Sequence, residues 1–99
     1  MSQSKKAPHF TIPKQFDCVG ATVTVSVERH DSDKAGHFYT EESKITLAPS
    51  NEDYMHHTFW HEFIHCASAH LGWPELEADE SKIDALAGVL VQFFKTRKG

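Results

Sequence analysis

His61-Glu62-Phe63-Ile64-His65 decides how the rest of the chain is read. The spacing is H-E-x-x-H. On a helix, residues i and i+4 share one face, with Cβ atoms about 5–6 Å apart, so His61 and His65 can point at one metal ion. Imidazole nitrogen suits Zn²⁺ at about 2.0–2.1 Å. Glu62 sits on the flank of that pair, within reach of a water on the metal without being a ligand. This is the arrangement in which a carboxylate serves as general base for metal-assisted peptide hydrolysis. In a chain with eight histidines the motif needs context. A helix around it, a third ligand downstream and a wall of apolar residues would supply that context.

The flanking sequence predicts the helix. Ser50 is a good N-cap, and Asp53 completes an S-x-x-D start signal. The helix is expected from about Asn51 to Leu71, with Gly72 as its C-terminal stop. Met55, Phe59, Phe63 and Ile64 recur at helical spacing. Trp73-Pro74 then makes a short connector. Pro74 suits the first turn of a second helix, and Glu75, Glu77 and Asp79 favour its N-terminus. Ser81 marks an alternative, later start. Ile83, Leu86, Leu90 and Phe93/Phe94 form the apolar stripe of this helix, and Lys95, Arg97 and Lys98 suit its C-terminal end.

Upstream of the motif the period changes to two. Val23, Val25 and Val27 alternate with Thr22, Thr24, Ser26 and Glu28, which predicts a strand over Thr22 to Arg29. Gly36 to Thr40 reads as a second short strand, and Lys44 to Ala48 as a third with Ile45 and Leu47 inward. Phe16 to Ala21 lead into the sheet, with Gly20 as a turn. Short connections imply antiparallel neighbours. The expected class is α+β: a short three-stranded antiparallel sheet packed on the motif helix and a second, C-terminal helix. Residues 1–15, broken by Pro8 and Pro13, read as an extended arm, and residues 16–99 as a single domain.

Ninety-nine residues suit one domain with one small core. The 39% hydrophobic fraction is enough for a globular fold. A net charge of −4 lacks the basic footprint of a nucleic-acid binder. No stretch approaches the run of about 18 apolar residues that a membrane span needs, and no signal peptide is recognised. The expected compartment is the cytoplasm, with no membrane partner. Cys18 and Cys66 are read as reduced. Cys66 is a small buried residue turned about 100° from His65 on the helix, away from that ligand face.

A catalytic zinc site has three protein ligands and an open position. The second helix offers Glu77, Asp79, Glu80 and Asp84. Glu77 and Asp79 read as acids that favour a helix N-terminus. Glu80 shares a face with Ile83 and Ala87, so it faces the first helix and is the best third ligand. Asp84 lies one turn on, where it can accept a hydrogen bond from a ligand imidazole or simply be a polar helix position. His70 is a rival ligand, but a regular helix turns it about 140° from His65. His56 and His57 are near, with His57 one turn before His61 on the same face.

Two segments carry a resemblance. Thr58-Phe59-Trp60-His61-Glu62-Phe63-Ile64-His65 and Glu80-Ser81-Lys82-Ile83-Asp84-Ala85-Leu86-Ala87 resemble the gluzincins, and more closely the ImmA/IrrE family of small metallopeptidases from phages and mobile elements. Gly36, Tyr39 and Ile45-Thr46-Leu47 resemble that family's short sheet before the active-site helix. The resemblance covers roughly residues 36–90. It implies a minimal zincin fold with His61, His65 and Glu80 as zinc ligands, Glu62 as general base, and a host-cytoplasm protein as substrate. The loop from His65 to Glu80 is shorter than in that pattern, and no proline follows the second helix's apolar run.

The expected activity is therefore zinc-dependent hydrolysis of a protein or peptide substrate, with His37, Tyr39, Tyr54 and His57 as candidate electrophiles at the oxyanion. The alternative is a non-catalytic module in which zinc staples two helices of a small core and the protein acts by binding a partner.

Overall fold

The computed structural model describes residues 10–29 and 34–98. It is an α+β fold with strands β1 (Gln15–Cys18), β2 (Ala21–Val27), β3 (Gly36–Tyr39) and β4 (Lys44–Leu47), then helices α1 (Glu52–Leu71), α2 (Pro74–Glu77) and α3 (Glu80–Thr96). The sheet is four-stranded and mixed, in the order β1-β2-β4-β3. It differs from the expected three-stranded antiparallel sheet in two ways.

First, the segment read as a lead-in to the sheet, Phe16 to Ala21, holds a strand of its own, which begins at Gln15, the last residue of the expected arm. Gln15–Cys18 pairs antiparallel with β2, Cys18 facing Ala21 across a two-residue turn. Both turn residues have positive φ, Val19 at 50° and Gly20 at 85°. That is the pattern of a type I′ hairpin, whose twist matches the flanking strands. Glycine accepts it freely, but a β-branched residue is strained there. Val19 is 60% exposed, so its side chain adds little to the core. Replacing it with asparagine, the preferred partner of glycine in this turn, is expected to stabilise the fold by about 1 kcal/mol. The urea midpoint measures this, and an unchanged or lower midpoint contradicts the strained turn.

Second, β4 lies between β2 and β3. It pairs antiparallel with β3 and parallel with β2, with Val25 facing Ile45. The short 40–43 turn makes β3 and β4 a hairpin, as local spacing requires. The longer 28–35 connection lets that hairpin dock by its second strand, so β2 gains a parallel neighbour. Residues 30–33 of the expected turn lie outside the described residues. β1 and β3 are the edges.

One face of the sheet carries the core. Val23, Val25, Phe38, Ile45 and Leu47 are buried against Phe59 and Cys66 of α1, while Val27, read as part of that face, is largely exposed at the strand end. The arm is anchored too: the Phe10 ring lies 4.8 Å from Phe94 and 5.0 Å from Trp60. Residues 1–9 of the expected arm lie outside the described residues.

α1 is capped at both ends. Asn51, rather than Ser50, is the N-cap, its side-chain oxygen accepting from Tyr54 N–H at 2.9 Å. Asparagine is at least as good a cap as serine. At the other end Gly72 turns left-handed, as expected, with Gly72 N–H donating to Ala69 O and Trp73 N–H to Ser68 O. This pair of bonds is a Schellman motif. The second helix is two helices: Pro74 opens the short α2, and Asp79 caps α3 by accepting from Lys82 N–H at 3.1 Å. α3 packs against α1 through Ile83 and Ala87, both fully buried, with Leu90 beside them. Phe94 stacks on Trp60. Leu86 and Phe93 of the expected stripe are exposed. The packed side runs 83-87-90-94: Ile83, Leu90 and Phe94 of the expected stripe are on it, and Ala87 takes the place of Leu86. None of the described helices is long and apolar enough to cross a membrane.

Candidate metal centre

The helical spacing of the motif brings the two imidazoles together, with ring centroids 5.1 Å apart. α3 crosses them so that Glu80, the first residue after the Asp79 cap, meets both. Glu80 Oε1 lies 2.9 Å from His61 Nε2, and Glu80 Oε2 lies 3.1 Å from His65 Nε2. One donor atom from each of His61, His65 and Glu80 lies within 4.8 Å of the others. Tetrahedral zinc holds nitrogen and oxygen donors roughly 3.3 Å apart, and the Glu80 contacts at 2.9 and 3.1 Å are compatible with a small divalent ion held by these residues. They are the three ligands expected from the sequence, and the structure brings them to one place.

The opposite nitrogen of each ring is also engaged. His61 Nδ1–H donates to Asp84 Oδ1 at 3.2 Å, and His65 Nδ1–H donates to Glu77 Oε2 at 3.3 Å. A carboxylate that accepts at Nδ1 fixes the tautomer with Nε2 free for a metal and makes that nitrogen more basic. Asp84 also accepts from His57 Nε2–H at 2.9 Å, so one oxygen ties His57 to His61. Asp84 thus sits where it can orient a ligand. Glu77, read as a dipole acid, has the same relation to His65. The break at Ala78 and Asp79 is what turns it toward α1, and a continuous helix from Pro74 hides that.

Electrostatics separate the carboxylates. The hydrogen bond from His57, and then that from His61, holds the Asp84 carboxyl below the usual range. For Glu80, desolvation opposes ionisation, but the hydrogen bonds from His61 and His65 outweigh it and keep the carboxyl low. Glu62 goes the other way: burial raises it above the usual range against the pull of His65 and His61. A half-buried carboxyl with raised proton affinity beside two whose affinity is lowered is the arrangement a proton carrier needs.

These residues line an open cleft of about 730 Å³ between α1, α3 and edge strand β3. His37, Tyr54 and His57 are on its wall, with Lys34, whose ammonium lies 3.3 Å from His37 Nδ1. Tyr39 instead is exposed and packs edge-on against His37 at 4.4 Å. Lys34 carries no sequence signal of its own. β3 comes close to α1 because residue 36 is glycine: a Cβ there would lie 2.6 Å from Thr58 Cγ2, 2.9 Å from Thr46 O and 3.4 Å from Glu62 Cγ. Gly36→Ala is expected to push strand and helix apart and destabilise the fold by about 1–3 kcal/mol. Urea unfolding measures it, and wild-type stability contradicts the close approach.

His70 does not join this group. It lies on the sheet-facing side of α1, its Nδ1 2.8 Å from the Cys66 carbonyl oxygen and 3.6 Å from Cys66 Sγ. Both cysteines are buried and unbridged. Burial first, and the neighbouring Cys18 second, push the Cys66 thiol up to about 12. His56 is buried under Phe10, edge-on at 5.4 Å. Neither a protein-family model, nor a curated protein, nor a solved structure matches the chain.

Proposed function

We propose that this chain is a zinc-dependent metallopeptidase in which His61, His65 and Glu80 hold the metal and Glu62 is the general base. The observation that carries this reading is the orientation of the two imidazoles. Each offers Nε2 toward the Glu80 carboxylate while its Nδ1–H is tied to a different acid, Asp84 or Glu77. Two rings chance-packed on a helix have no need of an acid behind each and a shared acid in front.

Zinc bound there supplies a Lewis acid for a carbonyl oxygen and a water that ionises near neutral pH. The chain does the rest. Asp84 and Glu77 hold the ligand rings in one tautomer. Glu62, half-buried and with raised proton affinity, takes the proton of the attacking water and delivers it to the departing amine nitrogen. β3 lies at the end of the sheet, paired with β4 among the described residues, where an extended peptide can lie by strand addition, which aims a scissile bond along the cleft above Glu62. Tyr54, His37 and His57 stand on the wall where an oxyanion would form. An open cleft of this kind suits a segment of a protein substrate.

The reading also agrees with the resemblance to the ImmA/IrrE peptidases, whose activity is carried here by the same three donors and one base. Among the described residues no fourth donor joins His61, His65 and Glu80, which supports an open coordination position over a purely structural ion. The test is hydrolysis of an unfolded protein substrate by zinc-loaded and chelator-stripped protein. Cleavage is expected only with zinc and is expected to return when zinc is restored. Activity that survives exhaustive chelation contradicts the reading.

A further inference from the structure

A second group of ligating side chains lies on a different flank of α1. Cys66 and His70 are spaced i, i+4 on that helix, the same spacing as His61 and His65, so they share a face. The face is the one turned to the sheet, where Cys18 ends β1 at the hairpin turn. One donor atom from each of Cys18, Cys66 and His70 lies within 4.8 Å of the others. We propose that these three residues form a second metal site, selective for a thiophilic divalent cation such as zinc.

Distance, burial and charge support it. Cys66 Sγ and His70 Nδ1 are 3.6 Å apart, and tetrahedral zinc holds a sulfur and a nitrogen donor roughly 3.6 Å apart. Cys18 is 7% exposed and Cys66 0%, so the sulfurs are already desolvated. His70 Nδ1–H donates to the Cys66 carbonyl oxygen at 2.8 Å, a bond given up when the ring proton sits on Nε2 and Nδ1 serves the metal. Binding releases the two thiol protons, and the neutral imidazole ligates through Nδ1 with its one proton carried on Nε2. The buried group then passes from two neutral thiols to two thiolates around a doubly charged ion, and its net charge stays zero. A monovalent ion would leave a buried negative charge, which is costly in a low-dielectric interior. Thiolate donors favour zinc or its analogues over magnesium and calcium. The site joins β1 to α1 on a side of the helix that does not line the cleft, so it has no part in the hydrolysis proposed there.

Cobalt(II) distinguishes this site from the first, because only thiolate ligation gives a sulfur-to-cobalt charge-transfer band in the near ultraviolet. Full-length protein kept reduced with a phosphine is titrated with Co²⁺. The wild type is expected to bind two ions and show the band. His61→Ala/His65→Ala is expected to bind one ion and keep the band in full. Cys18→Ala/Cys66→Ala is expected to bind one ion without it. A wild-type protein that binds cobalt with no sulfur band overturns the proposal, whatever the fate of the cysteine variant's fold. Loss of the band in the His61/His65 variant, with its circular dichroism unchanged, overturns it equally, since the thiolates would then belong to the first centre. Failure of the peptidase reading leaves the band untouched.

Discussion

Glu62→Gln is expected to bind zinc as the wild type does and to hydrolyse peptides about 10²–10⁴-fold more slowly, the range that a positioned general base contributes. Glutamine keeps the shape of the side chain and removes its capacity to take a proton. Glu62 is half-buried, its carboxyl is raised by desolvation, and it is not among the grouped donors. Losing its charge therefore takes nothing from the metal and relieves a half-buried anion, so stability is expected to hold or rise slightly. The measurement is kcat/KM on a protein substrate beside zinc stoichiometry. Turnover close to wild type would remove Glu62 as base. Lost zinc with lost turnover would make it a ligand.

Glu80→Ala is expected to weaken zinc binding at the first centre by more than the roughly 10–100-fold that follows loss of an outer carboxylate. Glu80 is the one residue that touches both ligand imidazoles, at 2.9 and 3.1 Å. Its removal leaves a two-histidine site on a single helix and no bond from α3 to the metal. The effect is visible in stability as well as in binding. A ligand at a hundred times its Kd stabilises a fold by about 2.7 kcal/mol. A 100-fold weaker site under the same conditions keeps only about 0.4 kcal/mol of that. Thermal unfolding with and without zinc is expected to show this loss for Glu80→Ala. To keep the sulfur-rich group from contributing, the comparison is made in the Cys18→Ala/Cys66→Ala background. A zinc-induced shift as large as that of the parent would transfer the ligand role to another acid.

The centre was largely legible because helical geometry is local. His61 and His65 follow from a four-residue spacing, and Glu80 from sharing a face with Ile83 and Ala87, the two residues of α3 that are fully buried. Glu77 was hidden by one local event, the break between α2 and α3, since acids near a helix start are ordinary there. The strands themselves were legible where alternation was clean, as at Val23 and Val25. Their order was not. That β4 would insert between β2 and β3 depends on which edge the hairpin finds, and the 28–35 connection permits more than one answer. β1 escaped notice because Gln-Phe-Asp-Cys, although it alternates, is only four residues long and starts close after Pro13, and with it went the position of Cys18. Cys66 and His70 share a four-residue helical spacing, but nothing in the chain places Cys18 beside them. Only the turn at Val19 and Gly20, folding β1 back under α1, brings the cysteines together.

The central claim is that α1 and α3 grip one divalent cation with a position left open. A crystal structure of zinc-loaded protein, with anomalous scattering recorded above and below the zinc edge, tests it most directly. A peak is expected between His61 Nε2, His65 Nε2 and the Glu80 carboxylate, with a solvent oxygen completing the shell beside Glu62. No peak at that place, or a fourth protein side chain closing the shell, would contradict it.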